Sequence, residues 1–492
     1  MLHPRVPSAA DLLFILVAPI KSIRGAVRLT QSDGDLAAHI RMGETILRLR
    51  HLPAHSLASY TAAADPLVVH AWLSEVIFAL LYRAGGLALI ATFTGIVIAA
   101  THGLVLIFLR KRGVDPRWAL IAALVSLALG ASHWLARPHM FSIVGAAVTL
   151  FLLESERPRR DLLFFPLYAV WANLHGGWLF GLLLIAVYAA GDAVDALITG
   201  VWPDGILRAR RNALALLSAA AGTLVNPYGL VLYREVVSAV TSVSLADNIA
   251  EYTSPNFHEV TNLPFLIALL LTVVLLALTT RRMPLKWLAV VVMTLFFALR
   301  SFRNIALFGV TAWPLIALHV ARAWPSRKRF PWFNDFARLD AQSSIGWWSA
   351  PVAVLLLALG LNHGRIGNIP VIASGFDRET FPVTAVDSAR RAGLTGRIFH
   401  PWVWGGYLMY AWPGAAIHVD PLKFSQTTMD SYVKIDGLGP GWQSLLDRWK
   451  VSTVIIKSGS PLARSLASER AWSIWYHDTT AIVFRRRANG YP

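Results

Sequence analysis

Long apolar runs separated by short basic connections make up most of this chain, and that alternation admits few folds. The runs fall at about 86–109, 118–133, 139–153, 162–173, 177–198, 212–225, 262–280, 285–299, 304–320 and 347–361. A weaker run at residues 9–29 precedes them, its apolar core Leu12 to Ile20 followed by Lys21, Arg24 and Arg28. Only 15% of the 492 residues are charged and 55% are hydrophobic, whereas soluble domains carry roughly 25% charged residues. The pattern predicts a polytopic α-helical membrane protein of about eleven spans. Several runs fall short of the roughly 20 residues that a straight span needs. Broken or re-entrant helices are therefore expected, above all around Asn173-Leu174-His175-Gly176-Gly177. No cleavage site of small residues follows the first run, so it reads as a retained span.

Charge sorts the connections by side. The formal net charge of +17 would suggest a nucleic-acid partner in a soluble chain. In a membrane protein basic residues mark cytoplasmic loops instead, and no nucleic-acid partner is expected. Alternate connections hold Arg110, Lys111, Arg112 and Arg117; Arg157, Arg159 and Arg160; Arg208, Arg210 and Arg211; Arg281, Arg282 and Lys286; and Arg322, Arg327, Lys328, Arg329 and Arg338. The opposing ones hold Arg137, Arg234, Arg300 and Arg303, with Arg41, Arg48, Arg50 and Arg83 in the first loop. The positive-inside rule then places the N-terminus in the cytoplasm and the C-terminal region outside. The 19 Trp suit rings seated at the membrane boundary. There is no cysteine, so disulfides and thiolate metal sites are excluded.

Beyond about residue 365 the pattern changes. Gly396–His400, Ala416–Asp420 and Ser452–Lys457 read as short strands, with Trp442–Trp449 and Pro461–Leu466 helical. Trp472–Tyr476 and Thr480–Arg485 would close a small sheet. The expected division is a transmembrane domain over residues 1–364, with a long first external loop at about 30–85, and an extracytoplasmic α/β domain over 365–492.

In so apolar a chain, the stretch Ser32-Asp33-Gly34-Asp35-Leu36-Ala37-Ala38-His39-Ile40-Arg41-Met42-Gly43-Glu44 stands out. If Asp35 opens a helix, then Asp35, His39 and Gly43 lie at i, i+4 and i+8 on one face. They would present a carboxylate, an imidazole and a gap where a ligand could approach. Helix capping by Ser32 or Asp33, with Asp35 favoured by the helix dipole, explains one aspartate but leaves the rest of the face unexplained.

The assigned orientation gathers other unusual polar residues on the same external side: His133, Arg137 and His139; Asn173 and His175; Asn226 and Tyr228; the Tyr252–Glu259 segment with His258; and Arg300, Arg303 and Asn304. Glu44 and Glu75 of the first loop join them. Ionisable groups at membrane depth are costly and usually line a cavity or a substrate path. Each has a plainer reading. His133 and His139 can anchor helix ends. Asn226-Pro227-Tyr228-Gly229 is an ordinary turn, and Gly176 and Gly177 can simply allow close helix packing. Arg300 and Arg303 can be solvated boundary charges, or they can bind a phosphate. The shared side is what favours an outward-facing active cavity.

The layout resembles the C-fold (GT-C) glycosyltransferases, integral membrane enzymes that use polyprenyl-phosphate-linked sugars. The resemblance rests on a first external loop with an Asp-x-Asp motif (Asp33-Gly34-Asp35), spans of uneven length and a C-terminal external domain. More narrowly it is similar to a bacterial branch with a D-x-x-x-H-x-x-x-G loop, an RPH motif and a W-x-N-x-H-G-G motif. These are Asp35/His39/Gly43, Arg137/Pro138/His139 and Trp171/Asn173/His175/Gly176/Gly177. Pro401-Trp402-Val403-Trp404-Gly405-Gly406-Tyr407 resembles the Trp-Trp-Asp-Tyr-Gly segment of oligosaccharyltransferase catalytic subunits but lacks its aspartate. Read plainly, it is a strand-to-helix turn packed on the small domain's core.

The resemblance implies transfer of a sugar from a polyprenyl-phosphate donor to an acceptor hydroxyl on a glycan, lipid or protein. A loop carboxylate would be the general base: Asp35, with Asp33 as alternative or metal-positioning partner and His39 orienting Asp35. Arg303, then Arg137, would meet the lipid phosphate, and His139 and His175 would contact acceptor or phosphate. Glu44, Glu75, Asn173, Asn226, Tyr228, His258 and Arg300 complete the substrate-binding candidates. An acidic pair such as Asp33 and Asp35 can bind Mg²⁺ or Mn²⁺, though nothing in the sequence compels a metal. The alternatives are a transporter or flippase for a lipid-linked or anionic solute, and a non-catalytic membrane scaffold. Walker-type phosphate loops, metalloprotease His-Glu motifs and Gly-x-Ser-x-Gly elbows are all absent from the sequence.

Overall fold

The computed structural model describes residues 6–200, 202–242, 249–324, 338–340, 343, 345–423 and 425–487. Arg327, Lys328 and Arg329 of the basic set lie outside the described residues. In chain order the helices are α1 (Ala9–Pro19), α2 (Gly34–Leu49), α3 (Trp72–Lys111), α4 (Pro116–Leu129), α5 (His139–Leu153), α6 (Phe164–Leu174), α7 (Trp178–Thr199), α8 (Trp202–Thr223), α9 (Val231–Thr241), α10 (Leu263–Leu278), α11 (Leu285–Arg300), α12 (Ile305–Ala323), α13 (Ser349–Leu361), α14 (Val383–Arg391), α15 (Gly405–Ala411), α16 (Gln426–Asp436), α17 (Trp442–Arg448) and α18 (Pro461–Ser468). The strands are β1 (Arg365–Ile366), β2 (Ile369–Pro370), β3 (Arg397–Phe399), β4 (Ala416–Ile417), β5 (Val451–Lys457), β6 (Trp472–His477) and β7 (Ala481–Arg486). Two compact units result, Met1–Gly25 with Ala91–Leu359, and Ala26–Ile90 with Gly360–Pro492.

The first unit is built from helices and their connections, with no strand among its described residues. The apolar runs of the sequence become helices, because a backbone in lipid must satisfy its own hydrogen bonds. Helix α8, however, starts at Trp202, ten residues before the run at 212–225, so Arg208, Arg210 and Arg211 stand on a helix rather than in a connection. Among the described residues four stretches are long and apolar enough to cross a membrane: Trp72–Lys111, Trp178–Thr199, Val260–Leu278 and Phe302–Ala323. Helices α4, α5 and α13 are apolar but shorter, so a multi-helix protein is borne out while the count of about eleven spans is not reached among the described residues. The break expected near Asn173 is present: α6 ends at Leu174, His175 is extended, and α7 restarts at Trp178. Local signals fix helix starts. Asp115 caps α4 ahead of Pro116. Ser8 and Asp11 form a capping box on α1. Asp11 also accepts from the Ser349 hydroxyl at 2.5 Å, which ties α1 to the start of α13.

The second unit is a five-stranded mixed sheet with helices on both faces, in the order β4-β3-β5-β7-β6. Strands β4, β3 and β5 run parallel, while β5, β7 and β6 run antiparallel. Side chains of β5 alternate between faces: Ile455 joins Ile398, Trp404, Leu408, Ile417 and Val483 on one side, and Val454 and Ile456 join Phe399, Leu462, Leu466 and Phe484 on the other. Burial on both faces accounts for the almost unbroken apolar reading of this strand. Much of the first external loop belongs to the same unit. Ser59 bridges Ile417, with Tyr60 N donating to the Ile417 carbonyl at 3.1 Å and Ile417 N to the Ala58 carbonyl at 3.0 Å. The loop thus covers the β4 edge, which would otherwise be left unpaired.

Helix α3 counts forty residues, about 60 Å at 1.5 Å per residue, too long for one straight span. It kinks at Gly85 and Gly86, where Gly86 takes a positive φ of 66°. The apolar span therefore starts near residue 86, where the sequence placed it.

Candidate active site

Asp33 is the N-cap of α2, its side chain accepting from the Asp35 amide at 3.1 Å, and it is 97% hidden from solvent at 3% exposure. Such a cap is worth about 1 kcal/mol. Asp35 follows in the first helical turn and is half-buried, so one aspartate is taken up in holding the helix and the other projects from it. His39 lies one turn on, as the spacing predicted, and its Nδ1 stands 3.4 Å from Glu75 Oε1 on α3. The Glu75 side chain is only 4% exposed, and its Oε2 finds no partner among the described residues. Glu75 thus meets the imidazole across 36 residues of chain. Gly43 does not leave a gap for a ligand. A β-carbon there would overlap the Glu75 carbonyl and lie 2.8 Å from Ala79 Cβ, so the glycine lets α2 cross α3 closely. Glu44 sits on the same helix, 3.7 Å from Arg41.

In the first unit a second cluster forms at the N-terminal end of α5. Arg137 Nη1 meets Glu251 Oε1 at 2.8 Å, and His133 Nε2 lies 4.0 Å from Glu251 Oε2. His133 and His139 stack with ring centroids 4.3 Å apart, and His139 Nε2 lies 3.0 Å from the His133 carbonyl, which accepts a proton only if that nitrogen carries one. Arg303 covers the Tyr252 ring at 4.6 Å. Burial pushes the Glu251 carboxyl up, but Arg137 and then Arg303 outweigh it and hold the group below its usual range. His133 is held well below the usual histidine range, first by burial and then by Arg303, Arg137 and His175. A neutral His133 is a poor partner for a phosphate. The cations of this cluster are its arginines.

His175 Nδ1 lies 2.7 Å from the Ser142 hydroxyl, which also accepts from Trp171 Nε1 at 2.8 Å. A β-carbon on Gly177 would overlap that hydroxyl, and one on Gly176 would press on Val236 at 3.0 Å. The two glycines therefore serve close packing, the plainer of their two readings. Asn173 Nδ2 donates to the Ala169 and Val225 carbonyls at 2.7 Å each. Asn226 turns the chain by accepting from the Tyr228 amide at 2.7 Å. His258 is exposed, its amide held by Asn256 Oδ1 at 3.1 Å. Arg300 is exposed at the end of α11. Asn226 holds a turn and His258 and Arg300 face outward, whereas His175 lies near enough to the Arg137–Glu251 group to act on His133.

Glu251 escaped the sequence reading because it meets Arg137 across 114 residues. So did a polar network at the other end of α5. Glu154 Oε1 accepts from Trp287 Nε1 at 2.8 Å and Tyr188 at 3.1 Å, and its Oε2 pairs with Arg112 at 3.1 Å. Asp192 binds Lys286 at 3.0 Å and Asn212 at 2.8 Å. The basic connections are therefore not uniformly plain loops: Arg112 and Lys286 neutralise carboxylates. The sorting of unusual polar groups to one side needs that correction. About 22 Å, the length of a fifteen-residue helix, separates the two polar ends of α5.

Among the described residues no three His, Asp or Glu side chains gather as metal ligands, and Asp33 is committed to its cap. That arrangement does not fit the metal pair considered for Asp33 and Asp35, and no step is derived through one.

A multi-helix unit with long apolar helices and a small mixed sheet that carries the acidic loop make up a GT-C-like fold. Solved structures carry the likeness over nearly the whole chain. The archaeal oligosaccharyltransferase AglB of Archaeoglobus fulgidus, in complex with an inhibitory peptide and a dolichol-phosphate, matches 98% of this chain and 75% of its own, at 13% identity and a TM-score of 0.51. ArnT of Cupriavidus metallidurans in the apo state matches 97% of this chain and 98% of its own, at 12% identity and a TM-score of 0.51. At such identities the likeness is one of fold. No protein-family model and no curated protein sequence matches the chain.

Proposed function

We propose that this protein is a membrane glycosyltransferase that moves a sugar from a polyprenyl-phosphate donor to an acceptor hydroxyl on the extracytoplasmic face. The observation that carries this reading is the whole-chain fold shared with AglB and ArnT, combined with Asp35 in the first turn of α2. AglB was crystallised with a dolichol-phosphate, a ligand of the class the donor would leave behind.

In the proposed step Asp35 removes the proton from the acceptor oxygen as that oxygen attacks the anomeric carbon. The bond from that carbon to the phosphate oxygen breaks, and the lipid phosphate leaves with the electron pair. A single displacement of this kind inverts the anomeric centre. His39, steadied by Glu75, would orient Asp35 across one helical turn. Within the first unit, Arg303, whose guanidinium lies on Tyr252, is the first candidate to bind the lipid phosphate, and Arg137 the second. His139 and His175 in the first unit, and Glu44 on α2 in the second, remain candidates for substrate contacts.

The test is a transfer assay with the purified protein in lipid, offered labelled polyprenyl-phosphate and polyprenyl-diphosphate sugars from its host. The expected result is donor consumption by the wild type and its loss in Asp35→Asn with carrier binding retained. Equal inactivity of both proteins on the host's own donors would overturn the reading in favour of a carrier or scaffold.

A further inference from the structure

The second unit holds a cavity of about 220 Å³ lined by Arg41, Thr45, Arg48, Leu57, Trp412 and Gly414, among others. The cause is visible in the sequence of α2. Arg41, Thr45 and Arg48 stand at i, i+4 and i+7, so all three look out from one flank of the helix. That flank is roughly a third of a turn from the one that carries Asp35 and His39. Trp412, at the end of α15, is only partly buried, and Gly414 leaves open space where a side chain would stand. Arg48 is exposed and makes no ion pair among the described residues. Arg41 lies 3.7 Å from Glu44 Oε2, the one carboxylate paired with it among the described residues. The Thr45 hydroxyl gives its proton to the Arg41 carbonyl at 2.9 Å, so its lone pairs are left to accept from a ligand.

Two guanidiniums, an accepting hydroxyl and an indole together make a specific demand. Guanidinium forks match phosphate or carboxylate oxygens. An indole offers an apolar face with a polar edge, suited to the C–H face of a sugar ring. A neutral sugar would use only the indole and hydroxyl, and an aliphatic anion only the arginines. We propose that this cavity is a subsite for an anionic saccharide, a phosphate- or carboxylate-bearing unit of the acceptor. Its centre lies about 15 Å along α2 from Asp35, ten residues at 1.5 Å each. It therefore receives a part of the acceptor remote from the reacting hydroxyl. The proposal deepens the glycosyltransferase reading and rests on it for the word acceptor, though the binding itself does not.

The experiment measures binding of glucose 6-phosphate, glucuronate and glucose to the full chain in phosphatidylcholine discs, by saturation-transfer NMR. The wild type should bind both anionic sugars at least tenfold more tightly than glucose, with affinity falling as salt rises. Arg41→Gln/Arg48→Gln should lose that preference while Asp35→Asn keeps it. Arg48→Glu alone, at the exposed position, serves the same purpose where the double variant does not fold, and should reverse the preference. Equal binding of charged and neutral sugars, or an unaltered preference in the arginine variants, would overturn the proposal. So would complete displacement of both sugars in discs containing phosphatidylglycerol, which would mark a lipid headgroup site. A preserved preference in a protein that consumes no donor would sink the transferase reading and leave the subsite standing.

Discussion

The backbone of Gly406 passes so close to that of Gly34 that a β-carbon at 406 would overlap the Gly34 carbonyl oxygen and stand 3.2 Å from Ala38 Cβ. Gly34 in turn presses on the Val403 carbonyl. The helix that carries Asp35 is therefore seated by its first residue on the aromatic Trp402–Tyr407 turn, which buries Trp404 and Tyr407 in the sheet's core. Backbone atoms cannot swing aside as a flexible side chain can. Gly406→Ala should thus cost about 1–3 kcal/mol and displace Asp35. Gly375→Ala, where nothing lies within 4 Å, should change stability by less than about 0.5 kcal/mol. Thermal melting and donor turnover of the two variants check this, and equal behaviour would show that the crossing does not seat the helix.

Asp33 and Asp35 are separable. Serine caps a helix about as well as aspartate does, so Asp33→Ser should keep stability within about 0.5 kcal/mol and retain most turnover. Asp33→Ala should cost about 1 kcal/mol. Asp35→Asn leaves the cap intact and should lower turnover by roughly 10²–10⁴, the usual worth of a general base. Comparable turnover losses in Asp33→Ser and Asp35→Asn would argue that Asp33 shares the chemistry.

Much of this architecture was legible in the sequence, for physical reasons. Lipid forces apolar runs into helices, so most of them appear nearly where hydropathy put them. Strand β5 was legible because both faces of the sheet bury it. Helix α16 was not, since Gln426-Thr427-Thr428-Met429-Asp430 reads as polar loop and folds only against the unit's core, through Met429 and Ile435. At the site, the i, i+4 spacing correctly placed His39 on the Asp35 face. Spacing says nothing of what crosses that face, so the role of Gly43 and the tie from His39 to Glu75 were hidden. Glu251 and Glu154 were hidden likewise, each meeting its cation across a long stretch of chain.

Arg137 and Glu251 form a partly buried pair in which each charge stabilises the other. Removing one leaves the other poorly compensated. A double-mutant cycle with Arg137→Gln and Glu251→Gln should therefore give a coupling of about 1–3 kcal/mol, with the double variant less destabilised than the sum of the two single variants. The half-exposed setting keeps the value below that of a fully buried pair. Thermal unfolding of the four proteins in detergent measures it, and a coupling near zero would reassign the pair to solvated boundary charges.

The tail should respond to acid through two buried histidines. His418 is fixed between Tyr60 at 2.8 Å and Ser431 at 2.9 Å, and burial, helped by the nearby His400, brings its pKa down to about 3. Burial brings His400 to about 4, against the pull of the Pro401 carbonyl. The unfolded chain binds these protons near pH 6.5, so it holds more protons than the fold between pH 6.5 and 4. Stability is then fully present above about pH 6.5 and is lost as pH falls. Asp420 acts the other way, since burial raises its carboxyl pKa and the fold keeps a proton that the unfolded chain gives up. Two histidines against one aspartate leave a net loss in acid. His418→Gln removes one titrating group and should flatten the slope by about 1.4 kcal/mol per pH unit over that window. Hydrogen exchange of the β5 amides from pH 7 to 5, corrected for the intrinsic rate, reports that slope. An unchanged slope in the variant would show that His418 keeps its proton in the folded domain.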